Sequence, residues 1–297
     1  MSNPPLSRCA PFERFAFTHI PKTAGLTLRA ILAIVCNSYG WPWEEILGSW
    51  QDGENGALSN YRSRSTAALR RARIVWGHLP YGFHGASQPH VALLRDPVER
   101  MISSYAMGLA GGSYPPGKSI ADLAAEGYFD DNLQCRLLSG LPDQVRPGSV
   151  CNEEVFARAL KNLQSGYVLA ADTERFNDFV AVMLRLLGAP PILFFRRNVR
   201  ALDLPADAVA ALRRESEKLM AFDVALYQHV AGRVRAAASM LNAGPSQAIR
   251  GGLAFYDLNG GNFVRYEDNL ERHVQLLSTL DVKVSRHTFD ESVLEFA

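Results

Sequence analysis

Short apolar runs alternate with longer segments of helical periodicity along most of the chain. The apolar runs predict β-strands at about residues 15–19, 73–78, 91–95, 166–170 and 192–196. Between them, apolar residues recur three and four positions apart, the spacing of a helix with one buried face. The first such stripe comprises Leu28, Ile31, Leu32 and Val35. Because strands that alternate with helices build parallel sheets covered by those helices, the pattern predicts a three-layer α/β fold with a central, mostly parallel sheet.

The C-terminal part of the chain has a different pattern. We divide the chain into a domain of residues 1–243 and an appendage of residues 244–297. Within the appendage, a turn rich in glycine and asparagine separates the apolar segments 253–256 and 263–266, which predicts a β-hairpin, followed by a helix near 267–278. The sequence leaves open whether this appendage covers a site, mediates dimerisation or completes the sheet.

The segment between the first predicted strand and the first predicted helix has the make-up of an anion-binding turn. Residues 21–27 read Pro-Lys-Thr-Ala-Gly-Leu-Thr. At a helix N-terminus the first backbone N–H groups lack partners within the helix and the helix dipole is positive, so a phosphate or sulfate can collect several donors. Lys22 adds a full charge, and Gly25 lets the backbone approach a ligand closely. Taken alone, such a turn is more often a plain strand-to-helix connection.

A second strand-to-helix junction places an arginine where parallel sheets bind ligands. Residues 91–94 are uniformly apolar, as in a buried strand, and Arg95 follows them directly. Asp96 is a suitable N-cap for the next helix, which begins with a proline. The predicted buried stripe of that helix comprises Val98, Met101, Ile102, Tyr105 and Leu109. Ser103 lies off this stripe, and Arg95 is expected at the carboxyl edge of the sheet.

A histidine ends the second predicted strand. Residues 74–82 read Ile-Val-Trp-Gly-His-Leu-Pro-Tyr-Gly, a short strand broken by glycine and followed by a turn. Histidine is the side chain best suited to accept a proton near neutral pH, so His78 is a candidate general base. Taken alone, a histidine between apolar residues is more often part of the core. The other histidines show no metal-ligand spacing.

Together these segments resemble the sulfotransferases that use 3′-phosphoadenosine 5′-phosphosulfate (PAPS), in particular the branch that contains heparan sulfate 2-O-sulfotransferase and bacterial carbohydrate sulfotransferases. The Pro-Lys-Thr-Ala-Gly-x-Thr order is similar to the family's 5′-phosphosulfate loop, whereas nucleoside triphosphatases carry the lysine after the glycine. Blocks at 166–176, 196–198 and 221–227 also resemble the family, in the expected order. The resemblance covers about residues 13–232 and implies a P-loop-like version of the three-layer fold.

The resemblance implies how a nucleotide would be bound. PAPS would be the donor substrate, and its desulfated form, PAP, a product. The 5′-phosphosulfate would be bound by Lys22, Thr23, Ala24, Gly25, Leu26 and Thr27. Leu26 stands where relatives often carry a threonine, so one hydroxyl contact is missing. Arg95 and Ser103 would bind the 3′-phosphate, and Arg197 or its neighbour Arg196 would be a further nucleotide contact.

The resemblance also implies the chemistry, which is in-line transfer of a sulfuryl group to an acceptor hydroxyl without a metal ion. His78 would remove the hydroxyl proton, and Lys22 would stabilise the charge on the leaving oxygen. The expected acceptor is a saccharide hydroxyl in a polysaccharide, glycolipid or glycosylated metabolite. The residues leave a lipid alcohol or a peptide-derived phenol open. The animal members are Golgi membrane proteins, and a chain without a membrane span or signal-peptide core therefore points to a bacterial relative.

Two other classes of protein share some of these features. A P-loop-like kinase or nucleoside triphosphatase would use the Lys22 turn, but it needs Mg²⁺ and a carboxylate that holds it. A noncatalytic module that binds anions or carbohydrates would keep the loops without turnover. Arg95 is also explained by an ion pair with Glu99 or by a hydrogen bond to a backbone carbonyl. The arginines between residues 62 and 73 fit a solvated helix face better than a surface for an anionic acceptor.

Composition changes this picture in few respects. The chain has 297 residues, of which 47% are hydrophobic and 21% charged, as in ordinary globular proteins. A net charge of +1 argues against nucleic acid as a partner. The four cysteines have neither close pairing nor zinc spacing, which fits a reducing compartment. With no transmembrane run and no signal-peptide core, a cytoplasmic protein is expected. Whether it forms homo-oligomers stays open.

Overall fold

The computed structural model describes residues 12–84, 88–146, 148–189, 193–194, 204–231, 253–256, 263–266 and 295–296. The strands in these ranges are Phe15–Thr18 (β1), Trp43–Ile46 (β2), Ile74–Gly77 (β3), His90–Leu94 (β4), Tyr167–Asp172 (β5), Leu193–Phe194 (β6), Leu253–Tyr256 (β7), Phe263–Tyr266 (β8) and Glu295–Phe296 (β9). The α-helices are Gly25–Tyr39 (α1), Ala57–Arg62 (α2), Thr66–Arg71 (α3), Pro97–Ala110 (α4), Ile120–Ala125 (α5), Leu133–Ser139 (α6), Glu153–Ser165 (α7), Phe176–Leu187 (α8), Ala206–Leu219 (α9) and Ala221–Val230 (α10). In the described part of the chain, no helix is both long and apolar enough to cross a lipid bilayer.

Five strands form one parallel sheet. Their order is β2-β3-β1-β4-β5, and every neighbouring pair runs in the same direction. Phe15 of β1 lies opposite Ile74 of β3, and Ala16 lies opposite His90 of β4. From β1 the chain continues to β2 on one side, and from β4 it continues to β5 on the other side. β1 and β4 are therefore the neighbouring strands at which the connections diverge.

Helices cover both faces of this sheet. Along β4, Val91 and Leu93 face a core formed with α1 and α8, whereas Ala92 and Leu94 face a second core formed with α6, α7 and α10. This alternation follows from the pleat of the strand, in which successive side chains point to opposite faces. All four residues of the predicted α1 stripe are at most 1% exposed. The predicted three-layer α/β class is confirmed.

One predicted strand needs correction, and one strand was missed. The predicted parallel strand at 192–196 does not join the sheet in its described residues, because Leu193–Phe194 pairs antiparallel with Glu295–Phe296. The fifth strand of the sheet is β2, which lies at the sheet edge and has the sequence Trp-Glu-Glu-Ile. Three of its four residues are only partly buried, so the strand needs no continuous apolar run.

The predicted hairpin is confirmed by the antiparallel pairing of β7 and β8. The helix predicted near 267–278 lies outside the described residues.

Helix α4 begins as predicted, but its buried face differs in part from the predicted stripe. The Asp96 carboxylate accepts from the N–H of Glu99 at 3.0 Å, and Pro97 is the first helical residue. Met101 is buried, but Leu109 is 47% exposed, so the predicted stripe is wrong at that end. Arg100 is instead 1% exposed. Ile102 and Tyr105 of the predicted stripe pack with residues of α5 and α9, whereas the burial of Arg100 is not indicated by the sequence of α4.

His90, at the start of β4, is fully buried in its neutral form. Its Nδ1 lies 2.7 Å from the carbonyl oxygen of Gln88, and its Nε2 lies 3.1 Å from the backbone nitrogen of Gly82. Because the carbonyl can only accept and the amide can only donate, Nδ1 carries the hydrogen and Nε2 accepts. Burial lowers the pKa of His90 to about 4.

We predict that the fold loses stability as the pH falls from 7 to 4. In the unfolded chain His90 takes up a proton near pH 6.5, whereas in the fold the pKa of its imidazole is about 4. The unfolded state binds more protons in this window, so the free energy of unfolding contributed by His90 decreases by about 3 kcal/mol at pH 4. Urea unfolding at several pH values measures this loss.

The His90→Asn variant is the control for this prediction. Its side-chain amide can still donate to Gln88, but it does not titrate in this range. The free energy of unfolding of the variant should therefore depend less on pH between 6.5 and 4 than that of the wild type. Equal pH dependence in both proteins would contradict the assignment.

Candidate active site

The predicted binding segments converge at one edge of the parallel sheet. The loop that contains Lys22 follows β1, and Arg95 follows the neighbouring strand β4. The chain connections diverge at this pair of strands. In open α/β sheets such a point leaves a crevice outside the carboxyl ends of the strands, where ligands bind. The fold therefore brings Lys22 and Arg95 to the position that favours a ligand most.

The loop after β1 has an unusual backbone. Lys22 and Ala24 have positive φ angles of 71° and 59°, which cost roughly 1–3 kcal/mol in residues other than glycine. Ala24 directly precedes α1, and no side chain caps that helix. A left-handed residue followed by a helical one turns successive N–H groups to one side and forms a concavity for anions. The strained backbone and the uncapped helix both favour an anion site here.

The side chains of this loop have different surroundings. The hydroxyl of Thr23 donates to the carbonyl oxygen of Ile20 at 2.8 Å and so stabilises the turn. Thr27 is buried, whereas Leu26 is 49% exposed. The Thr23 hydroxyl hydrogen is therefore used within the protein, and the contribution expected of this residue to anion binding comes from its backbone N–H.

Gly25 is required for a reason that the sequence analysis missed. A Cβ atom at this position would lie 1.8 Å from Nε2 of His19. The His19 ring in turn stacks on Trp76, with 4.3 Å between the ring centroids. A larger residue at position 25 would displace this ring, so the glycine allows the histidine to pack directly against the loop.

Lys22 has no acidic partner among the described residues. Its Nζ lies 3.3 Å from Sδ of Met107 in α4, which is a weak acceptor. Burial, and then the charge of Arg95, lower the pKa of Lys22. A bound phosphate or sulfate would supply the missing negative charge and raise this pKa again. Lys22 is therefore a cation whose environment favours an anionic ligand.

Arg95 connects the two binding segments directly. Its Nη1 donates to the carbonyl oxygen of Lys22 at 3.2 Å. Of the two alternatives to ligand binding, the hydrogen bond to a backbone carbonyl is therefore present, whereas the ion pair with Glu99 is not formed, because that carboxylate pairs with Arg213 at 3.0 Å. The side chain of Arg95 is partly exposed, and the guanidinium group carries several further donors in a fixed geometry.

A buried glutamine of α6 fixes the backbone of Arg95. Oε1 of Gln134 accepts from the backbone N–H of Arg95 at 3.0 Å, and Nε2 donates to its carbonyl oxygen at 2.9 Å. Gln134 is fully buried. Its side-chain amide therefore acts like one more strand at the end of β4 and holds the arginine at the carboxyl edge. No local pattern in the sequence indicates this partner.

The amino end of α6 is itself attached to α10. The carboxylate of Asp223 accepts from the N–H groups of Gln134 at 3.1 Å and Cys135 at 2.7 Å. Oδ1 of Asn132 accepts from the N–H groups of Phe222 and Asp223, at 3.0 Å each. These bonds satisfy the first N–H groups of both helices. They give a structural role to a block that the sequence analysis identified by resemblance alone.

His78 follows β3, on the other side of β1 from β4. The strand order separates it from Arg95 by two strand spacings, or about 10 Å. Its Nδ1 lies 2.8 Å from the carbonyl oxygen of Gly48, which can only accept, so Nδ1 carries the hydrogen and Nε2 presents its lone pair. Burial lowers the pKa of His78. The imidazole is therefore neutral at pH 7, as a general base requires.

A second histidine belongs to the site and was not predicted. The ring of His19 lies between Trp76 and His78, with 4.7 Å between the two histidine centroids. Burial, and then the neighbouring His78, lower the pKa of His19. Its Nε2 is buried without a hydrogen-bond partner among the described residues. The sequence did contain a signal for this role, because His19 directly precedes Ile-Pro-Lys at the start of the loop.

Two further predicted contacts have different outcomes. Ser103 lies on α4, one turn before Met107 and therefore on the same face of the helix, close to the position of Lys22. Arg197 lies outside the described residues. Within the described ranges, no group of three or more His, Cys, Asp or Glu side chains is arranged to hold a metal ion.

Comparison of the chain with models of known protein families gave no match, and comparison with curated proteins also gave none. The function of this site is therefore inferred from its residues, from their geometry and from the resemblance of its segments.

We predict that the Gln134→Leu variant has a free energy of unfolding lower by about 1–3 kcal/mol, because the buried N–H and C=O groups of Arg95 lose their partners. The matched control is Gln164→Leu on the exposed surface of α7, which should change the value by less than about 0.5 kcal/mol. Urea unfolding measures both variants. Equal effects of the two substitutions would contradict the role assigned to Gln134.

Proposed function

We propose that this protein is a sulfotransferase that transfers a sulfuryl group from PAPS to an acceptor hydroxyl. The observation that carries the proposal is the hydrogen bond from the Arg95 guanidinium to the carbonyl oxygen of Lys22. It keeps two cationic side chains from neighbouring strands at one crevice. A nucleotide with charged groups at both its 5′ and 3′ positions requires such a pair.

The geometry supports different roles for the two segments. The loop of residues 22–27 offers backbone N–H groups and the Lys22 ammonium to the 5′-phosphosulfate. Arg95, together with Ser103 on α4, would bind the 3′-phosphate through charge-assisted hydrogen bonds. ATP has no 3′-phosphate and would leave Arg95 without its partner. Arg95 is therefore proposed to select PAPS over ATP.

His78 is proposed to act as the general base. As the acceptor oxygen forms its bond to sulfur, the bond between sulfur and the bridging oxygen of the donor breaks and PAP leaves. The hydroxyl proton passes to Nε2 of His78 and then to solvent. Two observations support this role: the Nδ1–H bond to Gly48 orients the ring, and burial keeps the pKa of His78 low enough for a neutral imidazole.

Lys22 is proposed to stabilise the negative charge that develops on the bridging oxygen. Its ammonium group contacts only a thioether among its described hydrogen-bond acceptors, so no strong ion pair has to be broken when the donor binds. The positive charge of the mechanism comes from Lys22, Arg95 and the N–H groups of the loop, and the proposed scheme uses no metal ion.

The proposed acceptor is a saccharide hydroxyl, and the proposed setting is the cytoplasm of a bacterium. The acceptor follows from the resemblance of the donor segments to bacterial carbohydrate sulfotransferases, and the setting is supported by cysteine spacing that fits a reducing compartment. The P-loop-like version of the α/β fold belongs to the same proposal.

We predict that PAP raises the melting temperature of the wild-type protein, whereas ATP with Mg²⁺ does not, because binding to the native state raises apparent stability. Arg95→Ala should reduce the shift caused by PAP. Arg146→Ala is the matched control, since this exposed arginine pairs with Asp143 away from the crevice. A thermal-shift titration measures all three proteins.

Two results would contradict the proposal and favour an alternative. If ATP with Mg²⁺ raised the melting temperature and PAP did not, the result would favour a P-loop-like kinase or nucleoside triphosphatase. Stabilisation by PAP without sulfation of any alcohol in a broad acceptor panel would favour a noncatalytic binding module.

We predict that His78→Asn lowers turnover by ~10²-fold or more and leaves PAP affinity within about twofold. The asparagine amide can still donate to Gly48, but it lacks the lone pair of Nε2. Release of PAP from PAPS in the presence of the best acceptor measures turnover, with His229→Asn on the exposed face of α10 as the control. A folded His78→Asn variant with the wild-type rate would contradict the assignment of the base.

A further inference from the structure

A second positively charged site lies at the opposite end of the sheet from the crevice. Arg14 directly precedes β1 and Gln88 lies just before β4, whereas Lys22 and Arg95 follow the same two strands. β1 has four residues, so the two ends are separated by at least about 13 Å. A ligand at the amino ends of these strands would therefore be distinct from one at the carboxyl ends.

A cavity of about 470 Å³ lies at this amino end, within the usual range for small-molecule sites. Residues of α2 and α3 and the segments before β1 and β4 form its walls. The basic residues that line it are Arg14, Arg62, Arg64, Arg70 and His84. No aspartate or glutamate is among the described residues that line it.

Two of these four arginines have no carboxylate partner in the described part of the chain. Arg62 and Arg64 form ion pairs of 2.7 Å and 3.9 Å with carboxylates that do not line the cavity. Arg14 and Arg70 form no ion pair with any described carboxylate. Two guanidinium groups with uncompensated charge at one concave surface favour a ligand that carries at least two negative groups.

The residues that line the cavity also include polar groups that suit such a ligand. The hydroxyl of Tyr61 is hydrogen-bonded to Nδ1 of His84, which fixes that ring. The side-chain Oε1 of Gln88 is buried without a hydrogen-bond partner among the described residues. An unpaired buried polar atom indicates a missing partner. A half-turn of the Gln88 amide would present its NH₂ group, a donor, to an anion.

We propose that this cavity binds a small, multiply charged anion that carries phosphate, sulfate or carboxylate groups. The structure assigns Arg14 and Arg70 as the main contacts, and the Gln88 amide as a neutral donor. The sequence analysis attributed the arginines between residues 62 and 73 to a solvated face. In the structure these arginines have different surroundings: three of them line the cavity, whereas Arg73 donates to the carbonyl oxygen of Leu187. The proposal does not depend on sulfotransferase activity.

Isothermal titration calorimetry at low ionic strength tests this site, with inorganic tripolyphosphate, sulfate and citrate as separate probes. We expect saturable binding of at least one probe, and their order of affinity identifies the preferred charged group. The double variant Arg14→Gln/Arg70→Gln should weaken that binding by ~10-fold or more. Arg71→Gln is the matched control, because this exposed arginine of α3 does not line the cavity, and it should change the affinity by less than about twofold.

Two further variants locate the bound anion in this cavity rather than in the crevice. Thr66→Glu adds a carboxylate to the lining at an exposed position, where folding is not at risk, and it should also abolish binding. Because the crevice would bind the same probes through Lys22, the comparison is repeated in a Lys22→Ala background, where the Arg14→Gln/Arg70→Gln double variant should still weaken binding by ~10-fold or more. The proposal is overturned if no probe binds in this background, or if Arg71→Gln weakens the binding as much as the double variant does.

Discussion

The candidate site depends on the double hydrogen bond between the buried amide of Gln134 and the backbone of Arg95. A strand that ends inside a protein leaves N–H and C=O groups that need partners. Here the partner is a side chain of α6, whose own first turn is held by the carboxylate of Asp223. Two helices on one face of the sheet thus determine where the arginine lies. From that position Arg95 reaches the carbonyl oxygen of Lys22 and keeps the loop beside β4.

The distribution of charge around the crevice follows from the same packing. Nearby carboxylates are used elsewhere: Asp96 caps α4, Glu99 pairs with Arg213, and Asp223 binds the N–H groups of α6. The loop lysine is therefore left with a thioether, and burial lowers its pKa. Burial also lowers the pKa of His19 and of His78, whose rings lie side by side. The crevice thus combines uncompensated positive charge with neutral imidazoles, a combination that supports the proposed transfer of a negatively charged group to a hydroxyl.

The parts of this arrangement that depend on local sequence were predictable, and those that depend on distant contacts were not. The apolar run before Arg95 and the N-cap after it predicted a strand end and a helix start, because both signals lie within a few residues. β2 was missed because its two glutamates break the apolar pattern of an edge strand. Gln134 and Met107, the partners of Arg95 and Lys22, lie on helices that follow much later in the chain. The burial of Arg100 also depends on contacts that the sequence of α4 does not indicate. The site's location was predictable, but the contacts that fix it were not.

The most direct test of the central claim compares the dissociation constants of PAP and AMP, which differ by the 3′-phosphate, in the wild type and in Arg95→Ala. Isothermal titration calorimetry supplies all four values. We expect the wild type to bind PAP at least ~10-fold more tightly than AMP, as expected when one charge-assisted contact is lost, and Arg95→Ala to lose most of that preference. Equal affinity of the wild type for both nucleotides, or a preference that persists without Arg95, would contradict a crevice built for a nucleotide charged at both ends.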